Sequence, residues 1–328
     1  MTSSFAAGAR AYVTGILVRV HNANCVRLAA SVGVSHDLLS RVLKKEHGRV
    51  FSHVSTLILK TLGKISGGSL IIDDTTITKH FAKVIEGCSW LWSSNDERVV
   101  FGYQVVVLLW SNGSFSLPLR WEFYKKEKDK TQQRTKLDIA VDLLLYAKNT
   151  LHLSPERVLF DSFYASQQVL NRCEEYQWSY VTKIKSNRTL NGTQAKKHHR
   201  NPYWEETGTL SCGIRARVIR HGKRYFLTND FVASKQTIIS FYDSRWVIEE
   251  MFRVLHSRLG LDECESRSKT AQSNHAAFVM SAYVLLASEE TRSESDTYYT
   301  AHDKCLADTD FAVHMVEEGF SYTHLVGA

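Results

Sequence analysis

The chain has 328 residues, 44% of them hydrophobic and 23% charged, with 41 Lys and Arg against 34 Asp and Glu and a formal net charge of +7. Ordinary apolar content and only 3 prolines exclude a disordered chain, and the length accommodates two or three domains at roughly 150 residues each. The longest apolar stretches, Tyr103 to Trp110 and Ala276 to Ala287, fall short of the roughly 20 residues that span a bilayer, so no membrane helix is expected.

The positive charge is concentrated at the start. Residues 1–66 hold nine basic side chains against Asp37 and Glu46, which gives this head +7 by itself. Within it, VRLAASVGVSHDLLSRVLKK (Val26 to Lys45) reads as a helix-turn-helix: Ala29 lets two helices approach, Gly33 forms the turn, Ser35 caps the second helix, and Leu39 and Val42 anchor it. Arg41, Lys44 and Lys45 then face outward, as phosphate contacts require; an ordinary helical pair is the alternative. The opening MTSSFAAGARAYV lacks the basic and apolar segments of a secretory signal. Six scattered cysteines without a CxxC pair read as reduced thiols, which points to the cytoplasm.

After Gly67-Gly68, SLIIDD is an apolar strand ending in Asp73 and Asp74. Val99 to Trp110 and Phe115 to Tyr124 flank Ser111-Asn112-Gly113-Ser114, a strong hairpin signal. The lysine-rich link KKEKDKTQQRTK leads into a helix from Leu137 to Asn149. Arg157 to Phe160 is a short strand delivering Asp161, Ala165 to Gln177 a helix, and Ser179 to Lys185 a strand. Thr189 to Asn229 turns polar, Gly-punctuated and β-like, and from Lys183 to Arg224 it is strongly basic. Helical periodicity resumes from Lys235 to Leu259 and from Thr270 to Glu290, and the remainder is acidic. The predicted fold class is α/β: a ribonuclease-H-like core over 67–290 with a β-rich insertion at about 189–230, before the last core helix. A helical, basic DNA-binding region over 1–66 precedes it and an acidic tail over 291–328 follows.

In that topology Asp74 and Asp161 end neighbouring strands, and the helix FYDSRWVIEEMFRVLHSRLGL must supply a third carboxylate. Tyr242, Arg245, Glu249 and His256 stand at i, i+3, i+7 and i+14. At about 100° per residue they share one face, with Arg253 close to it and Glu250 turned away. Three carboxylates suit two Mg²⁺ ions, with Mn²⁺ as a substitute, in phosphodiester cleavage. Tyr242 and Arg245 would grip phosphate oxygens, or else form a buried structural pair.

IIDDTT, LFDSFYAS and YDSRWVIEEMFRVL followed by LGL resemble the three signature blocks of DDE transposases of bacterial insertion sequences, most closely the insertion sequence 4 group. The resemblance covers about residues 68–290. It selects Asp74 over Asp73, because the group's first carboxylate directly precedes Thr. It implies Asp74, Asp161 and Glu249 as catalytic metal ligands and Tyr242, Arg245, Arg253 and His256 as phosphate contacts. The implied reaction cuts transposon ends in double-stranded DNA, often through a hairpin, and joins the 3′-hydroxyl to target DNA. A homodimer on DNA, at the bacterial nucleoid, is expected. The group has Lys where this chain has His256, a weaker phosphate ligand when neutral, which leaves a catalytically impaired DNA-binding protein as the alternative. Trp204 is a candidate for stacking on an extruded base, as hairpin-forming members use an aromatic in the insertion.

Overall fold

The computed structural model describes residues 2–21, 23–63, 67–80, 82, 84–93, 97–113, 115–126, 134–288 and 297–321. Ser114 of the expected hairpin turn, 127–133 of the lysine-rich link, and 289–296 and 322–328 of the acidic C-terminus lie outside them.

In chain order the elements are α1 (Thr2–Leu17), α2 (Cys25–Val32), α3 (His36–Leu43), α4 (His47–Leu62), β1 (Ser69–Thr78), β2 (Ser89–Ser93), β3 (Arg98–Ser111), β4 (Ser116–Tyr124) and α5 (Lys136–Asn149). They continue with β5 (Arg157–Phe160), α6 (Gln167–Glu175), β6 (Tyr180–Lys183), β7 (Thr189–Leu190), β8 (Thr193–Gln194), α7 (Ala195–His198), β9 (Tyr203–Thr209), β10 (Arg215–His221) and β11 (Arg224–Thr228). The last are α8 (Lys235–Asp243), α9 (Val247–Ser257), α10 (Lys269–Ala287), α11 (Tyr298–Ala307) and α12 (Thr309–Phe320). Two units result, one of residues 1–65, 76–104 and 250–328, the other of residues 66–75 and 105–249.

The first unit is mainly helical. Its α2–α3 pair has the turn its sequence encodes. Gly33 ends α2 at φ 67, a left-handed conformation that Gly adopts without penalty, and the Ser35 hydroxyl accepts from the Asp37 N–H. Ala29, Leu39 and Val42 are buried between helices, while Arg41, Lys44 and Lys45 are exposed. α10 is buried on every side from Ala271 to Ala287 and packs against α1, α4 and the C-terminal helices. Its polar residues are satisfied locally: Asn274 donates to the Leu43 and Lys45 carbonyls and faces His47, and His275 faces Tyr12. β2 pairs antiparallel with the start of β3.

The second unit is built on a sheet ordered β4-β3-β1-β5-β6-β11-β10-β9. β1, β5 and β6 are parallel, and β11, β10 and β9 continue antiparallel from β6. The order β4-β3-β1-β5-β6 is that of the expected ribonuclease-H-like core, within a mixed α/β fold. Leu70, Ile71, Ile72, Val158, Leu159 and Phe160 are almost fully buried, which is why these strands read as unbroken apolar runs. α5 and α6 pack on each other, with Thr135 and Asp138 forming a capping box at the start of α5.

Candidate active site

Register brings the carboxylates together. β1 and β5 pair in parallel from Ser69↔Arg157 to Ile72↔Phe160, and Asp73 and Asp161 each follow directly after that last pair. Asp161 closes a turn rather than capping a helix: its Oδ1 accepts the N–H groups of Phe163 (2.9 Å) and Tyr164 (3.3 Å), while Ser166 caps α6. That turn buries Tyr164 and aims its hydroxyl at Asp74, to whose Oδ1 it donates at 2.7 Å. Lys136, the first residue of α5, lies with its Nζ 2.9 Å from both oxygens of Asp74 and 4.4 Å from the centre of the Phe163 ring.

The long helix expected from Lys235 to Leu259 is interrupted. α8 stops at Asp243, Ser244–Trp246 form a 3₁₀ turn, and α9 begins at Val247. The Ser244 hydroxyl donates to the Phe241 carbonyl at 2.7 Å, competing locally with the regular ladder. The side chains still converge. Arg245 donates from one arm to Asp73 at 2.5 Å and from the other to Glu249 one turn on. Its guanidinium lies 5.6 Å from the Tyr242 ring. Tyr242 is buried edge-on to Phe226, and Lys183, at the end of β6, sits 4.8 Å from its ring.

Burial dominates the electrostatics. It pushes the Asp73 carboxyl up to about 7, against the pull of Arg245 and with the help of Asp161 and Asp74. Asp161 is also raised, by burial first, with its two N–H donors opposing and Asp74 adding to the rise. Lys183 is lowered by burial and by Arg245 and Arg224. The carboxylates of β1 and β5 therefore repel one another, which is the condition a cation relieves. All-oxygen donors suit Mg²⁺ or Mn²⁺, so the donor chemistry fits the expected metal. The geometry is not a ready cage: among the described residues no group of three or more His, Cys, Asp and Glu is arranged to hold an ion. Instead Lys136 holds Asp74, and Arg245 holds Asp73 and Glu249.

Of the residues singled out from the sequence, Asp74, Asp161, Tyr242, Arg245 and Glu249 belong to the sheet unit. Arg253 and His256 belong to the helical unit, where Arg253 is exposed and His256 Nδ1 lies 2.5 Å from Asp262 Oδ2. The other oxygen of Asp262 accepts the Thr78 N–H, and Lys79 donates to the Asp262 and Cys264 carbonyls. Trp204 is 5% exposed, stacked on His198 and bordered by His199 and Tyr225, so its ring faces are taken up by protein. Lys136 and Tyr164 were not singled out from the sequence, and Asp73 was set aside in favour of Asp74, although all three stand in the cluster. The parallel register from Ile72 would have found Asp73, and the position of Tyr164 three residues after Asp161 was a usable signal.

The sequence profile of the transposase DDE domain matches residues 67–285. No curated protein sequence matches the chain. Among solved structures, piggyBac transposase in a synaptic complex with hairpin DNA is similar over 99% of this chain and 73% of that one, with a TM-score of 0.54 at 8% identity, which is a likeness of fold. The NurA nuclease from Sulfolobus solfataricus (TM-score 0.28, 10% identity, 65% of this chain and 86% of that one) is too distant in shape to bear on the fold. The same holds for the Mos1 mariner paired end complex with Mn (TM-score 0.19, 14% identity, 48% and 53%). With the profile spanning most of the sequence and the fold shared with a transposase, the chain belongs to the transposase DDE domain family.

Proposed function

We propose that the chain cuts transposon ends in double-stranded DNA and joins the freed 3′-hydroxyl to target DNA, with Asp74, Asp161 and Glu249 as ligands of two Mg²⁺ ions. The observation that carries this reading is the convergence of buried, mutually repelling carboxylates on β1 and β5 with the Arg245–Glu249 pair, inside the matched domain. When bound, the metal supplies Lewis acidity to the attacking and leaving oxygens. The side chains do the rest. Arg245, held rigidly by Asp73, presents a preorganised guanidinium to a non-bridging phosphate oxygen. Lys183 and Tyr242 flank it. Tyr164 fixes the rotamer of Asp74, and the Phe163 and Tyr164 N–H groups fix that of Asp161.

The exposed cations of α3 and the segment after it would contact DNA backbone, and β7 to β11, read as the insertion within the core, would add the basic strands. A homodimer is the natural assembly for holding two transposon ends. A hairpin step, as in the DNA of the piggyBac complex, would need a base-stacking residue other than Trp204 in its buried position. The test is Mg²⁺-dependent nicking of DNA carrying the element's terminal inverted repeats; activity surviving Asp161→Asn would sink the ligand assignment. The engagement of His256 by Asp262 favours a second reading, a DNA-binding protein with impaired catalysis. Specific retention of the ends with no cleavage in Mg²⁺ or Mn²⁺ would establish it.

A further inference from the structure

Lys136 occupies Asp74 in an unusual way. Its ammonium is equidistant from both carboxylate oxygens, at 2.9 Å, which is the notch a bidentate metal ion would take. Both side chains are largely buried, at 16% and 15% exposure. The ammonium also lies 4.4 Å from the Phe163 ring centre, and Phe163 belongs to the turn that carries Asp161. Lys136 is the first residue of α5, where the helix dipole opposes a cation, so helix formation does not account for a Lys there. The capping box of Thr135 and Asp138 anchors the backbone, leaving the long side chain as the part that swings.

We propose that Lys136 is a built-in counter-ion for Asp74, which a divalent cation must displace to bind. The inference rests on the reading of Asp74 as a metal ligand. An internal cation then offsets the repulsion among the buried carboxylates, in keeping with the pairs in which Lys136 holds Asp74 and Arg245 holds Asp73 and Glu249. Metal affinity is then set partly by the strength of an internal ion pair, and the displaced ammonium is left beside the site.

The experiment measures Mn²⁺ binding to the full chain without DNA, by electron paramagnetic resonance of the free ion. Lys136→Met removes the competitor and is expected to tighten binding roughly ten- to hundredfold, the range for a charge-assisted hydrogen bond lost to competition. Lys136→Arg keeps the charge and is expected to stay close to wild type. Unchanged or weaker binding by a Lys136→Met protein with wild-type circular dichroism overturns the proposal. A second measurement uses the wild-type chain alone: the ¹³Cε resonance of Lys136 should shift on Mg²⁺ addition, and a resonance that stays put also overturns it. Asp161→Asn separates the two readings. If it binds Mn²⁺ as wild type does, the carboxylate site itself is wrong. If it loses binding while Lys136→Met matches wild type, only the role of Lys136 fails.

Discussion

Arg245 and Asp73, 172 positions apart in sequence, form an ion pair at 2.5 Å whose guanidinium also reaches Glu249. Burial holds the Asp73 carboxyl at about 7 even against the pull of Arg245, so the pair is mostly charged only above that pH. Removing the guanidinium alone, in Arg245→Ala, is expected to cost about 3 kcal/mol in urea unfolding at pH 8, because a buried carboxylate is left without its cation. Adding Asp73→Asn should recover part of that loss. A double-mutant cycle with no coupling between the two positions would remove Asp73 from the architecture proposed for the site.

Glu249 and Glu250 provide a sharper functional contrast. Glu249 is half-buried against Arg245, whereas its neighbour is exposed. Glu249→Gln keeps a hydrogen-bonding group of the same size and removes the charge. It is expected to lower the rate of nicking by about a thousandfold, the scale on which metal-site charge contributes several kcal/mol. Glu250→Gln is expected to leave the rate within a few fold. Comparable losses in both would mean that the helix face has been misassigned.

Much of this arrangement was legible because it depends on local pattern. The run from Arg157 to Phe160 is apolar, short and followed by Asp161, and it forms β5 with those bounds. Gly33 and Ser35 encode a turn and a cap that need no tertiary information. What escaped depends on partners distant in sequence. Whether Asp73 or Asp74 faces Arg245 is a matter of strand phase, and the phase of β1 is set by β5, more than eighty residues on in the chain. Lys136 looked like one more cation in a lysine-rich link, because nothing in its periodicity names Asp74. The 3₁₀ turn at Ser244–Trp246 was hidden since the positions of Arg245 and Glu249 suit a continuous helix equally well.

Stability should fall in mild acid, through two buried histidines of the helical unit. Burial lowers both His275 and His302 to about 4. His275 is locked in its neutral form, with Nε2 donating to the Gly260 carbonyl and Nδ1 accepting from the Tyr12 hydroxyl. The unfolded chain takes up these protons near pH 6.5 and the folded chain does not, so stability is full above that pH and is lost as pH falls toward 4. Between pH 7.5 and pH 5 the expected loss is about 2 kcal/mol per ring. Urea midpoints at the two pH values measure it, and His275→Gln should reduce the difference. A variant with an undiminished pH dependence would show that His275 is not one of the groups responsible.

Gly102 marks a place where two strands approach more closely than any side chain permits. A Cβ at this position would lie 2.1 Å from the Ile77 carbonyl oxygen and 3.2 Å from the Thr78 Cα, so the obstruction is backbone and cannot rotate away. Both β1 and β3 continue from this crossing into the sheet that carries Asp73 and Asp74, and the adjoining Lys79 N–H donates to the Phe101 carbonyl at 2.8 Å. Gly102→Ala is therefore expected to destabilise the chain by about 3 kcal/mol, at the upper end of what overpacking costs. Gly48, in the first turn of α4, is the matched control: nothing lies within 4 Å of its added Cβ, and alanine there should stabilise by about 0.5 kcal/mol. Thermal or urea unfolding of the two variants side by side decides the matter. A harmless alanine at 102 would mean that β1 and β3 can part at this point.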